Sequence, residues 1–115
     1  MDQYRILVFS DCNNRAREEE FNRWYEDVHI PDMLQVPGIM RATRWLSVQV
    51  DNPRAKKYLA LYELETADLP KFSQDMSRIV ESARQRGRLS DLPVFDPPGV
   101  PRLYRQIMAV REAKR

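Results

Sequence analysis

Residues 38–65 read GIMRATRWLSVQVDNPRAKKYLALYELE, and their alternation decides the fold. Met40, Ala42, Arg44, Leu46, Val48 and Val50 fall on one side of an extended chain. Ile39, Arg41, Thr43, Trp45, Ser47 and Gln49 fall on the other. Asp51-Asn52-Pro53-Arg54 is turn chemistry, and residues 56–65 then alternate again, with Tyr58, Ala60, Tyr62 and Leu64 opposite Leu59, Leu61 and Glu63. The two runs make an antiparallel hairpin that carries apolar side chains on both faces.

On the N-terminal side, residues 3–10 are a short apolar run of strand formers, closed by Ser-Asp-Cys-Asn-Asn. Asn13 or Asn14 caps a helix whose early turns hold Glu18, Glu19 and Glu20, where exposed amides favour negative charge. Phe21, Trp24, Tyr25 and Val28 form its apolar stripe. The helix is expected to stop near His29, because Pro31 disfavours helical geometry at Ile30. A separate short turn is expected over residues 31–36, before Pro37-Gly38. On the C-terminal side a second helix is expected over residues 68–86, with Leu69, Phe72, Met76, Ile79, Val80 and Ala83 inward and Gly87 as its stop. Four prolines make residues 90–101 a stiff extended loop. A last strand is expected at 102–110, and the basic tail at 111–115 is expected to fray.

The order is strand, helix, strand, strand, helix, strand. It predicts an α+β, ferredoxin-like domain: a four-stranded antiparallel sheet with two helices on one face. The 115 residues make one domain, 1–115. Two helices cover one face of a sheet that is apolar on both, so a twofold homodimer is the expected way to cover the other.

With 43% hydrophobic and 31% charged residues and no apolar run near ~18 residues, both disorder and membrane insertion are excluded. The net charge of +2 demands no polyanion, and the arginine-rich second half is interspersed with acids and lacks a nucleic-acid motif. No membrane or nucleic-acid partner is therefore expected. The start of the chain has no basic lead or cleavage-site pattern, and one cysteine, Cys12, suits a reducing compartment. The expected location is cytoplasmic.

His29 is the only histidine. If the helix persists, Tyr25 and Glu26 are its neighbours, and the helix end and nearby carboxylates oppose burial in setting its charge, so its proton is expected to be tunable around neutral pH. That suits a general acid or base, and equally a helix-end cap or a satisfied buried imidazole. One histidine and one cysteine give no metal site, and Cys12 has no nucleophile motif around it. Trp24, Tyr25, Trp45, Tyr58 and Tyr62 are core or pocket wall. Arg44 stands on an otherwise apolar face, so it pairs with Glu63 or another acid, reaches solvent, or holds a substrate oxyanion.

The string FNRWYEDVHIPD (residues 21–32), then Val36-Pro37-Gly38-Ile39 and YLALYEL (residues 58–64), resembles the EthD-like branch of the dimeric α+β barrel superfamily over residues 3–110. The resemblance implies a homodimer with facing sheets and an apolar cavity in each subunit, with the histidine at position 29 turned towards it in an acid or base role. The lack of a second histidine departs from related cyclases that use a pair. The expected function is a cofactor-free isomerase, cyclase or lyase acting on a hydrophobic cyclic or aromatic metabolite. In it His29 moves the proton, Tyr25 and Asp32 orient it, Trp24, Trp45 and Tyr62 wall the pocket, and Arg44 stabilises an oxyanion. A non-catalytic small-molecule-binding dimer and a haem- or oxygen-dependent monooxygenase are the alternatives.

Overall fold

The computed structural model describes residues 1–49, 56–99 and 101–115. The expected turn at Asp51-Asn52-Pro53-Arg54 and the face assigned to Val50 lie outside the described residues. Strand β1 (Asp2–Cys12) leads through Asn13 and Asn14 into a 3-10 turn and helix α1 (Glu18–Trp24). Asn14 is the cap, its side chain accepting from the Ala16 amide at 3.0 Å. Asn13 instead ties its own amide to the Leu92 carbonyl at 2.9 Å.

The helix does not stop at His29. It passes through one π turn (Tyr25–His29) into α2 (Ile30–Met33), with the Ile30 amide reaching back five residues to the Tyr25 carbonyl. Proline inside an α-helix lacks its hydrogen bond and crowds the preceding turn. A locally widened turn before Pro31 lets the chain carry the proline without leaving helical dihedrals. Gly38, at φ +103°, ends the segment. A Cβ there would lie 2.9 Å from the Glu65 carbonyl oxygen, so only glycine fits.

Strands β2 (Ile39–Leu46) and β3 (Tyr58–Thr66) pair antiparallel, as expected. A bulge between Ile39 and Arg41 shifts the alternation by one residue. Ile39 therefore joins the core face with Ala42 and Arg44 instead of facing outward with Arg41. Helix α3 (Leu69–Gln85) is capped by Asp68, which accepts from the Lys71 amide at 3.0 Å, and ends at Gly87 with φ +68°.

The proline-rich stretch is not all loop, because Pro93–Asp96 forms β4 on the edge of β1. Strand β5 (Arg102–Arg105) then pairs with the other half of that same edge, and it stops well short of residue 110. The sheet runs β2-β3-β1, and the fourth position is shared end to end by β4 and β5. The helices cover one face. Tyr4, Ile6, Phe21, Tyr25, Val36, Ala60, Tyr62, Leu64, Phe72 and Leu92 are buried between the layers. This is the expected α+β, ferredoxin-like arrangement with its last strand divided. Among the described residues no helix is long and apolar enough to cross a membrane.

Candidate functional site

Where β4 gives way to β5, the edge of β1 is left uncovered, and a cavity of about 430 Å³ opens between it and the helices. Its walls are Val8 of β1, Met33, Met76 and Val80 of the helices, Phe95 of β4, and Pro97 and Pro101 of the chain linking the two short strands. His29 is the imidazole in this wall. Glu81, Arg84, Ser77 and Asp96 are the other polar side chains that line it. The volume and lining are those of an ordinary small-molecule site.

The π turn decides what His29 touches. Its ring stacks on Trp24, five residues back, at 4.8 Å between centroids with 18° between planes, and it meets the Tyr25 ring edge-on at 5.2 Å. In a regular helix the neighbours would be Tyr25 and Glu26. Glu26 instead turns to Arg44. With aromatic faces on two sides and an apolar cavity in front, burial pushes the His29 pKa down to about 4, and the Asp32 charge only partly opposes it. The imidazole is therefore neutral at pH 7, not poised around it.

Asp32 does not hydrogen-bond His29. It is 5% exposed and is held by Arg88 in a two-pronged ion pair, Nε at 2.8 Å and Nη2 at 2.9 Å, which keeps its carboxyl below the usual range. The Arg88 carbonyl accepts from Trp24 Nε1 at 2.8 Å. Arg88 is itself fixed by the end of α3, its amide bonding the Ala83 carbonyl at 2.9 Å beyond Gly87. One residue thus fastens both Asp32 and the ring against which His29 stacks. Sequence reasoning missed Arg88, because nothing local links it to Asp32, which lies 56 positions away.

The remaining expected site residues separate into two groups. Tyr25, Tyr62 and Arg44 lie together beneath the helix, with the Arg44 guanidinium carbon 4.5 Å from the centre of the Tyr25 ring. The Tyr62 hydroxyl is buried without a hydrogen-bond partner, and the Tyr25 hydroxyl has only a loose contact with the Ser10 hydroxyl. Burial pushes the Tyr25 pKa up to about 12 and raises that of Tyr62 further, while the nearby Arg44 charge opposes both shifts. Arg44 pairs not with Glu63 but with Glu26 at 3.0 Å and with Asn22 Oδ1 at 2.9 Å. Glu63 is taken by Arg5 and Arg41 on the outer face. Trp45 is also on the outer face, 56% exposed, with its Nε1 donating to Thr43 Oγ1. The structure does not bring it to His29.

A largely apolar hollow between helices and an antiparallel sheet, with one imidazole in its wall, is carried here on a ferredoxin-like fold. No family model matches this chain, and no curated protein matches it in sequence. Solved structures match it in fold. HapK from Hahella chejuensis superposes with a TM-score of 0.59 at 14% identity, over 96% of this chain and 99% of its own. A protein named as a putative monooxygenase from Shewanella loihica PV-4 gives 0.58 at 16% identity, over 95% and 99%. An ethyl tert-butyl ether d (EthD) family protein from Bacillus halodurans C-125 gives 0.56 at 12% identity, over 93% and 100%. The fold is that of the dimeric α+β barrels, and the EthD-like resemblance of the helix motif fits these neighbours.

Proposed function

We propose that the chain is a small-molecule enzyme in which neutral His29 accepts a proton from a hydrophobic cyclic or aromatic ligand seated in the 430 Å³ cavity. The observation that carries this reading is the placement of the only histidine, uncharged, in the wall of an apolar hollow. A carbon acid next to a carbonyl would lose its proton to the ring, leaving an enolate and an imidazolium. Return of that proton to another carbon isomerises the ligand, and its transfer to a leaving hydroxyl expels water. Cyclisation follows if the enolate carbon attacks a second carbonyl of the same molecule, whose π bond opens to an alkoxide that takes the proton back from the imidazolium. Trp24 holds the ring plane, and Met33, Met76, Val80 and Phe95 provide the hydrophobic contact.

The working unit we propose is a homodimer. The outer sheet face carries half-buried Leu7, Phe9, Leu59 and Leu61 beside exposed Trp45, and a second copy laid against it would cover them.

Deuterium wash-in tests the chemistry without knowledge of the natural substrate. The protein in heavy water should speed exchange at the carbon between ring and carbonyl of 2-tetralone, and His29→Gln should lose ~10²-fold or more of that rate. Equal exchange by the variant and the wild type would sink the assignment. The low basicity of His29 also favours a second reading, a binding protein that makes no proton transfer. For that reading the His29 signal would shift on tetralone binding with no exchange above background. The name of the Shewanella protein raises a third, and oxygen uptake in the presence of the ligand would support it.

A further inference from the structure

The polar atoms beneath the helix form a second site, which the proposed proton transfer leaves unused. Among the described residues, five buried side-chain nitrogens and oxygens lack a well-formed hydrogen bond: Tyr62 Oη, Nε and Nη2 of Arg44, and Ser10 Oγ and Tyr25 Oη, which lean only on one another. All belong to one neighbourhood. Ser10, Arg44 and Tyr62 come from β1, β2 and β3, and all face the helix. Ala60, the residue paired with both Arg44 and Val8, is a small floor among them. Tyr25 closes the group from above, its ring centroid 4.5 Å from the Arg44 guanidinium carbon. Ser10 and Tyr25 are 0% exposed and Tyr62 is 1% exposed.

Unpaired buried polar groups are rare in native proteins, and a cluster of five calls for an occupant. Its chemistry follows from the donors. Arg44 spends only Nη1 on Asn22 and Glu26, at the surface end of its guanidinium. The two inward positions can only donate, the Tyr62 hydroxyl has a proton to give, and the adjacent Ser10 and Tyr25 hydroxyls keep one between them. The rings of Phe21, Tyr25 and Tyr58 surround the guanidinium and stabilise its charge, but they offer no strong acceptor. Glu26, the only carboxylate bonded to Arg44, is largely exposed, so water screens its neutralising effect. What is missing is a compact acceptor with negative charge. On its outer side Arg44 also lines a surface cleft, with Glu18, Asn22, Glu26, Lys57 and Tyr58.

We propose that Ser10, Tyr25, Arg44 and Tyr62 form an internal binding site for a small monovalent anion, a halide or a small carboxylate, distinct from the His29 cavity. Crystals of the full chain soaked in sodium bromide test the placement by anomalous scattering. Thermal unfolding tests it in solution, with sodium bromide or sodium acetate replacing sodium gluconate at constant ionic strength. The expected result is a bromide peak within hydrogen-bonding distance of Arg44 Nε or Nη2 and a saturable rise in Tm. Half-saturation should move about tenfold higher in Tyr62→Phe, the loss of one hydrogen bond to a charged group. A rise with bromide alone identifies a halide site, and a rise with acetate as well identifies a site that also takes carboxylates. Arg44→Gln should abolish the response. Tyr62→Phe, which removes one oxygen only, serves if that variant does not fold. His29→Gln should leave the response unchanged. Water alone in the chamber, a Tm that does not distinguish bromide and acetate from gluconate, or an undiminished response in Tyr62→Phe would overturn the proposal.

Discussion

His29 and Arg44 are drawn beneath the same run of helix, and burial acts on both, yet they meet it in opposite ways. His29 faces the rings of Trp24 and Tyr25 and a largely apolar cavity, and the carboxylate that acts on it, Asp32, is already engaged with Arg88. Its intrinsic affinity for a proton is modest, so desolvation removes the charge. A guanidinium keeps its proton in proteins, and Arg44 has had to collect stabilisers instead: a carboxylate, an amide oxygen and three ring faces. The difference teaches where each kind of chemistry is possible. The histidine end of the layer can take up a proton, and the arginine end can hold negative charge.

The strongest way to break the contrast is to remove the residue that fixes the histidine end. Arg88→Met leaves the Asp32 carboxylate buried without its partner and loosens the carbonyl that receives the Trp24 indole. We expect a lower urea midpoint at pH 7. A purely structural role would end there. The positioning role predicts in addition that the His29 titration, followed by its single imidazole NMR signal, moves up from about 4, because an unpaired Asp32 favours the imidazolium more strongly.

Acid should separate the two ends without any substitution. The folded-state pKa of His29 is depressed, so between about 6.5 and about 4 the unfolded chain binds a proton that the folded chain refuses. Stability then rises with pH across that window and is lost as pH falls through it, by roughly 2–3 kcal/mol between pH 7 and pH 4. Asp32 is also depressed, and its contribution is present above about 4 and lost only below that. Urea midpoints at pH 7, 5.5 and 4 should therefore fall more steeply in the wild type than in His29→Gln, most clearly between pH 7 and 5.5, where the depressed carboxylates Glu18 and Glu63 do not yet titrate. A slope equal in the two proteins would place the proton elsewhere.

How much of this could be read in the sequence depended on whether the cause was local. The hairpin, the second helix from Asp68 to Gly87 and the sheet order follow from alternation, capping and chain order, all of which act within a few residues. The π turn does not announce itself. Pro31 signalled an interruption, and a stop was the simpler reading than a widened turn that keeps the helix going. That one turn exchanged Glu26 for Trp24 as the neighbour of His29 and released Glu26 to Arg44. Strand β4 was hidden because prolines dominate its segment, although an edge strand with one free side tolerates them. Arg88 and Ser10 carry no local signal. Each matters through partners on other elements, which only the packed structure brings together. Trp45 was misplaced for the opposite reason: the alternation put it correctly on the outer face, and only its chemistry suggested a pocket.

The smallest expected effect is the sharpest test of the contrast, because its sign depends on what fills the arginine end. Tyr62 carries a hydroxyl with no partner in the described structure. If nothing takes its place there, removing that oxygen relieves an unpaired buried polar group, and Tyr62→Phe should be neutral or stabilising by up to ~1 kcal/mol. If an anion occupies the chamber, the same oxygen donates to it, and the substitution weakens the bound state. Urea unfolding of the variant and the wild type should therefore agree, or favour phenylalanine, in gluconate. The order should reverse by ~1 kcal/mol in saturating bromide. The His29 end offers no such reversal, since the donors in its wall, Ser77 and Arg84, are exposed and already meet water. The corresponding substitution there, Trp24→Phe, should shift stability equally in either salt.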